Sequence, residues 1–166
     1  MNKKIICRDK DENKYKVNEE RLKFRPSVYG ILIENNKILL SKQWDGYDFP
    51  GGGIKIHETI EGALKREFFE ETGIKVQPVK VLHVDTDFFH QVHSLKHKDE
   101  YWNCQLIYFL VKKVGGKLSK SNFDKEEKIY ADLAEWISIE DIEKIKFYSP
   151  VNNPRLARKA FDFLNS

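Results

Sequence analysis

The sequence predicts an α/β fold, with helices packed on a mixed β-sheet. Three observations carry that reading. Apolar, β-rich runs recur along the chain, at residues 25–34, 37–42, 75–85, 101–113 and 133–137. Two other stretches, 59–72 and the one opening at Asn153-Pro154, space their apolar residues at helical intervals. The two kinds of element alternate irregularly, with turn residues between them.

The 166 residues suit one domain with a sizeable core. With 40% hydrophobic and 33% charged residues, the chain is globular rather than disordered. A net charge of +3 does not argue for a nucleic-acid partner, although it is compatible with a local basic patch. Cys7 and Cys104 are too few and too far apart for a disulfide scaffold or a zinc site. Residues 2–7 hold no apolar run long enough for a signal peptide. No stretch approaches the roughly 18 apolar residues of a membrane span. The expectation is a cytoplasmic protein with neither membrane nor nucleic-acid partner. The oligomeric state stays open, a homodimer included.

Residues 1–24 read as a charged N-terminal extension. Within it, 5–7 and 15–17 could form a short β-hairpin around a turn at 11–13. Residues 25–166 read as the main domain. Its first run holds Val28, Tyr29, Ile31, Leu32 and Ile33, and Asn35-Asn36 makes a two-residue turn because Asn tolerates positive φ. The run at 37–42 returns as a second strand. Residues 43–48 read as a loop whose Trp44 and Tyr47 either stack on a base or cover the edge of the core.

Residues 75–85 read as one or two strands, with Pro78 near a strand start or edge. The stretch 87–100 is the least regular. His93 and His97 in it have a spacing that would suit a metal pair. No further ligand is patterned around them, so a polar, mobile loop over the site is the better reading. Residues 101–113 form a strand ended by Gly115-Gly116, and 119–128 a charged loop ending in Glu126-Glu127. After a short strand at 133–137, Ser138 can cap a helix over 139–145. Asn153 caps a last helix with Pro154 at its first position. Leu156, Ala160, Phe163 and Leu164 give that helix one apolar face, fit to pack on the sheet.

The stretch 51–74, GGGIKIHETIEGALKREFFEETGI, organises the rest. Advancing about 100° per residue along 59–72 puts Ile60, Ala63, Leu64 and Phe68 on one side. Glu67 and Glu71 fall inside that same side, and Glu70 sits at its edge. A carboxylate aimed at apolar packing is costly unless something positive meets it. Several converging carboxylates repel one another unless a cation lies between them. Hard divalent metals take oxygen ligands of this kind, often together with substrate phosphates. Thr59 can cap the helix, Gly73 suits the left-handed position that ends it, and Gly62 points to close backbone packing. Arg66 can pair with Glu70 four residues on or orient a neighbouring carboxylate. The run Pro50-Gly51-Gly52-Gly53 reads as a tight, irregular loop able to approach a metal or phosphate.

This stretch resembles the Nudix box, G-x5-E-x7-R-E-U-x-E-E-x-G-U, with U a bulky aliphatic or aromatic residue. Gly52, Glu58, Arg66, Glu67, Phe68, Glu70, Glu71, Gly73 and Ile74 fill every defined position. A weaker likeness extends from Arg25 to Trp136. Many relatives carry Gly just before the first box glutamate, where this chain has His57. The resemblance implies a Nudix-type α/β/α sandwich and a Mg²⁺- or Mn²⁺-dependent hydrolase. Such enzymes cleave the pyrophosphate of a nucleoside diphosphate linked to another group.

Carried over by position, Glu67, Glu70 and Glu71 would be metal ligands, helped by the Gly51 carbonyl, with Glu67 alternatively the general base. Arg66 would orient them and Glu58 would support the loop–helix junction. Glu127 or Glu126 would join from the loop ahead of Glu135-Trp136. Arg25, Trp44 and Tyr47 are the substrate-binding candidates. His90 and Gln91 stand where ADP-ribose and dinucleoside polyphosphate relatives carry a diagnostic Pro or Tyr. A nucleoside triphosphate is therefore the first choice of substrate by default. ADP-ribose or a nucleotide sugar comes next, and a nucleotide-sensing module without turnover is the reading from a different class.

Overall fold

The computed structural model describes residues 3–166; Met1 and Asn2, part of the expected N-terminal extension, lie outside the described residues. In chain order the strands are β1 (Lys4–Arg8), β2 (Lys14–Asn18), β3 (Leu22–Glu34), β4 (Lys37–Gln43), β5 (Gly46–Asp48), β6 (Gly51–Gly53), β7 (Ile74–Gln91), β8 (Glu100–Gly116) and β9 (Ala131–Ser138). The helices are α1 (Ile60–Thr72), the single turn α2 (Glu127–Tyr130) and α3 (Asn153–Asn165). The sheet runs β2-β1-β7-β8-β3-β4-β5, with β6 paired to β3 and β9 to β4. It is mixed: β3 lies parallel to β8 from Leu22↔Tyr101 to Leu32↔Val111, while β7 and β8 are antiparallel.

Side chains alternate across a strand, and here each face finds its own helix. Val28, Leu32, Leu39 and Val111 pack with Ala63, Leu64 and Phe68 of α1. Ile31, Ile38, Leu40 and Leu110 pack on the other face with Leu156, Ala157 and Ala160 of α3. The result is the α/β/α sandwich. Gly30 lets α1 come close, because a Cβ there would lie 2.6 Å from the buried Phe68 ring.

The N-terminal residues form the hairpin β1–β2, and β1 pairs in parallel with β7 at Arg8↔Phe89. Asp9 builds the turn by accepting from the Asp11 and Asn13 amides and the Tyr15 hydroxyl. Asn35 and Asn36 adopt φ values of 51° and 59° in the expected two-residue turn.

Several local expectations are corrected. Residues 43–48 are not an open loop: β4 turns through Trp44, at φ 47°, directly into β5. Tyr130 holds that unusual backbone, its carbonyl accepting from the Trp44 amide at 2.9 Å and its ring stacked on the indole. The glycine run is not irregular either, since β6 pairs with Ser27–Tyr29 of β3. Strand β7 continues to Gln91, absorbing three register shifts, one of them beside Pro78. Gly62 is exposed, and a Cβ there would meet only the Thr59 hydroxyl, so no close packing explains it.

The cap of α3 is Asn152, which accepts from the Arg155 amide; Asn153 turns inward and donates to the Ser149 and Val151 carbonyls. Phe163 and Leu164 do not join the core, being 42% and 49% exposed. Ser138 caps a 3₁₀ helix over Ile139–Lys144. Among the described residues no helix is long and apolar enough to cross a membrane.

Candidate active site

Helix α1 starts and stops where its sequence dictates. The Thr59 hydroxyl accepts from the Gly62 amide at 3.1 Å, and Gly73 ends the helix at φ 75°. Between these ends Arg66 is the centre of the acidic cluster. Its guanidinium donates to both Glu58 oxygens at 2.5 and 2.8 Å, to Glu70 at 2.9 Å and to the Gly53 carbonyl at 3.2 Å. It also ion-pairs with Glu67 at 2.7 Å. These contacts hold the Glu58 carboxyl down to about 2. Burial pushes the Glu67 carboxyl up, against the pull of Arg66. The glycine strand leaves the room this needs. A Cβ on Gly52 would lie 2.8 Å from the Glu67 carboxylate, and one on Gly53 2.9 Å from Arg25.

Glu71 points under the cluster. Its carboxylate accepts from the Ser41 hydroxyl at 2.5 Å and the Gly51 amide at 3.2 Å. Burial raises its proton affinity well above the usual range, and the charges of Glu67 and Glu127 add to that. Glu127 is likewise pushed up, by burial first and then by Asp124, Glu67 and Glu70. Glu126, its neighbour, faces the loop at 92–99 instead, accepting from the amides of Leu95 and Lys96.

The expected ligands thus share one cleft, but they do not stand as a cage. Among the described residues no three His, Cys, Asp or Glu side chains form a ready metal cluster. The physical reason is Arg66, which takes the place of a cation between Glu58, Glu67 and Glu70. The donor chemistry still fits a small divalent ion. The donors are carboxylate oxygens, and Glu71 and Glu127, which no Arg66 contact reaches, are both pushed up by burial and by the charge of Glu67.

The acidic cleft has a volume of about 670 Å³ and is bordered by Gly51, Glu67, Glu70, Glu71 and Glu127, with Lys55 and Lys96 among its cations. A second cavity of about 240 Å³ opens beside it, and Arg25, Trp102 and Tyr130 line both. Arg25 lies over the Trp102 ring at 4.1 Å and makes no ion pair among the described residues. Trp44 lines the second cavity, stacked on Tyr130 at 4.6 Å with the Lys10 ammonium 5.1 Å from its ring. Tyr47 lines neither cavity; its hydroxyl donates to Glu135 at 2.6 Å.

The histidines do not pair: His93 lies 3.4 Å from Asp11 and His97 3.3 Å from Glu100. Sequence reasoning missed Ser41, whose hydroxyl in an otherwise apolar run was the available signal. It also missed Asp48, which burial pushes up to about 7 at the wall of the second cavity. Nothing in its local sequence marks Asp48.

A sequence profile of the NUDIX domain matches residues 23–158. The chain belongs to the Nudix family. An 8-oxo-dGTP diphosphatase of Buchnera aphidicola subsp. Schizaphis graminum is 30% identical to this Nudix chain over 135 residues, covering 78% of it and 88% of that protein. An ADP-ribose pyrophosphatase of Methanocaldococcus jannaschii is 32% identical over 151 residues, covering 87% and 78%. The crystal structure of an ADP-ribose pyrophosphatase from Streptococcus suis superposes with a TM-score of 0.63 at 17% identity, covering 86% of this chain and 92% of that one. The last match speaks for the Nudix fold alone.

Proposed function

We propose that this Nudix domain is a metal-dependent hydrolase that splits the pyrophosphate bond of a nucleoside diphosphate linked to another group, with a nucleoside triphosphate as its first substrate. One observation carries the reading. Four carboxylates, Glu67, Glu70, Glu71 and Glu127, share a cleft with Lys55, Lys96 and Arg25, which lies over the Trp102 ring. Such a cleft suits a polyanion only if a cation offsets the carboxylates.

Mg²⁺ or Mn²⁺ would be held by Glu67, Glu70, Glu71 and Glu127, helped by the Gly51 carbonyl. A divalent ion held there would supply neutralisation of phosphate oxygens and activation of a water. The chain's own groups do the rest. Arg25 lines both cavities and is the candidate phosphate-binding residue, and Trp44, which lines the second cavity, is the candidate to stack on the base. Glu67 is alternatively the general base, which would leave the ion to Glu70, Glu71 and Glu127. Arg66 orients Glu67 and Glu70. Glu58 fixes Arg66 and also accepts from the Lys55 amide at 3.0 Å, holding the loop to the helix.

ADP-ribose is the second reading, favoured by the Methanocaldococcus jannaschii relative and by the cavity beside the cleft. The test incubates the protein with Mg²⁺ and a panel of nucleoside triphosphates, ADP-ribose and nucleotide sugars, and identifies every product by mass. Release of pyrophosphate from a triphosphate supports the first reading, and AMP from ADP-ribose the second. Tight binding without any product would overturn both in favour of a nucleotide sensor.

A further inference from the structure

Glu126 stands next to Glu127 but makes contacts of a different kind. Its carboxylate accepts from the Leu95 amide at 2.9 Å, the Lys96 amide at 3.0 Å and the Ser94 hydroxyl at 3.1 Å. That hydroxyl in turn accepts from the Lys96 and His97 amides at 3.2 and 3.1 Å. Successive amides aimed at one anion make a small nest, and here the anion is the chain's own side chain. The segment bearing Glu126 is itself held. Asp124 accepts from the Glu126 and Glu127 amides, and Glu127 accepts from the Asp124 amide at 2.6 Å. Two loops, 92–99 and 119–126, therefore meet on one carboxylate. Both border the acidic cleft, one through Lys96 and His97, the other through Asp124 and Glu126, with Glu127 following directly.

We propose that Glu126 is a positioning residue: it clamps the loop at 92–99 to the segment carrying Glu127 and so fixes where Lys96 stands relative to the carboxylates of α1. Its effect on turnover rests on the hydrolase reading above; the clamp itself does not. Three donors converge on this one acceptor group, and a buried or half-buried amide left without an acceptor is costly. Without it the Leu95 and Lys96 amides lose their acceptor. The loop would then keep the end contact of the Asp99 amide with the Gln91 carbonyl at 2.8 Å, and the exposed pairs of Lys96 with Asp124 at 3.6 Å and His93 with Asp11 at 3.4 Å, which water screens.

The test compares Glu126→Ala, Glu126→Gln and Ser94→Ala in the full chain. Amide hydrogen exchange is read first, without metal or nucleotide, and then kcat and KM are measured on whichever nucleotide the parent turns over. Gln keeps an oxygen where one carboxylate oxygen now accepts from both amides; Ala keeps none. Glu126→Ala is expected to speed exchange at residues 95–97 at least tenfold and lower kcat about tenfold, with its melting temperature close to the parent's. Glu126→Gln should keep most of both, and Ser94→Ala should fall between.

Parental exchange at 95–97 in Glu126→Ala would overturn the clamp. So would Glu126→Gln losing as much as Glu126→Ala, because the charge rather than the hydrogen bonding would then matter. If Glu126→Ala fails to fold, Ser94→Ala decides, and unchanged exchange there overturns the proposal. A parent that turns over no nucleotide refutes the hydrolase reading and leaves the exchange result to decide the clamp.

Discussion

Replacing Arg66 with Ala is the most direct test of how the acidic cluster is held together. Arg66 contacts three carboxylates, and two of them, Glu58 and Glu67, have side chains only 14% and 15% exposed. Removing one partner of a buried ion pair costs ~3–5 kcal/mol, because the other charge is left uncompensated. Glu70 is 37% exposed, so water screens it and it adds little. Partial exposure of the cluster argues for the lower end, about 3 kcal/mol. For a chain of this length ~1 kcal/mol moves the melting temperature by ~2–4 °C, so a fall of about 6–12 °C is expected at pH 7.

The loss should depend on pH in a known direction. Glu58 is held down to about 2 in the folded protein, below its unfolded value of about 4.3. Its stabilisation is complete above the unfolded value and is lost as pH falls through about 2. The gap between parent and Arg66→Ala should therefore shrink steadily from pH 5 towards pH 2. Thermal melts across that range measure it, and a parallel titration with Mg²⁺ should recover more stability in the variant than in the parent. An Arg66→Ala protein melting within a degree of the parent at pH 7 would refute the account of Arg66 as counter-ion to the cluster.

Three further outcomes follow from named contacts. Glu71→Gln should lose activity by more than about 100-fold together with any metal-induced rise in melting temperature, while the metal-free protein melts no lower, since the cost of burying an ionisable carboxyl has gone; activity assays and paired melts read both. Gly30→Ala places a Cβ 2.6 Å from the fully buried Phe68 ring, so about 1–3 kcal/mol should be lost by urea unfolding, and turnover with it as α1 is pushed off the sheet. Asp48, raised to about 7 by burial, keeps its proton in the folded chain after the unfolded chain has lost it, so parental stability should fall as pH rises from about 4 to 7. Asp48→Asn should flatten that slope and gain up to a few kcal/mol over the parent above pH 7, at ~1.4 kcal/mol per unit, as denaturant melts at several pH values would show.

What the sequence made legible was local and chemically marked. Thr59 and Gly73 bound α1, and the turn at Asn35-Asn36 announces itself because Asn accepts positive φ. The neighbouring turn at Trp44 was illegible for the same reason: nothing in an indole side chain advertises φ 47°. Its conformation is set from a distance, by Tyr130 stacked on the ring. The glycine run looked irregular because glycine carries no strand signal, yet β3 supplies a partner that draws it into the sheet. In the site, the carboxylates of α1 were readable from helical spacing. The box resemblance implied that Arg66 would orient these carboxylates, but spacing named only Glu70, and the contacts with Glu58 and Glu67 are seen in the structure alone. The different contacts of Glu126 and Glu127 depend on a loop some thirty residues earlier in the chain, and no local pattern records such a contact.

The parallel pairing of β3 with β8 bears on the order in which the molecule comes together. Lys23 and Glu100, ion-paired at 2.6 Å, are 77 positions apart, so that ribbon closes only after a long stretch of chain has been gathered. Strands β7 and β8 are adjacent in the chain and antiparallel, and can pair early. Helix α1 lies between β3 and β7 in the chain and has no complete surface to rest on until β3 arrives. We predict that β3 docks late, so that the glutamates of α1 still face water at the barrier to folding. A divalent ion that binds the finished cleft should consequently slow unfolding while leaving the folding rate almost untouched.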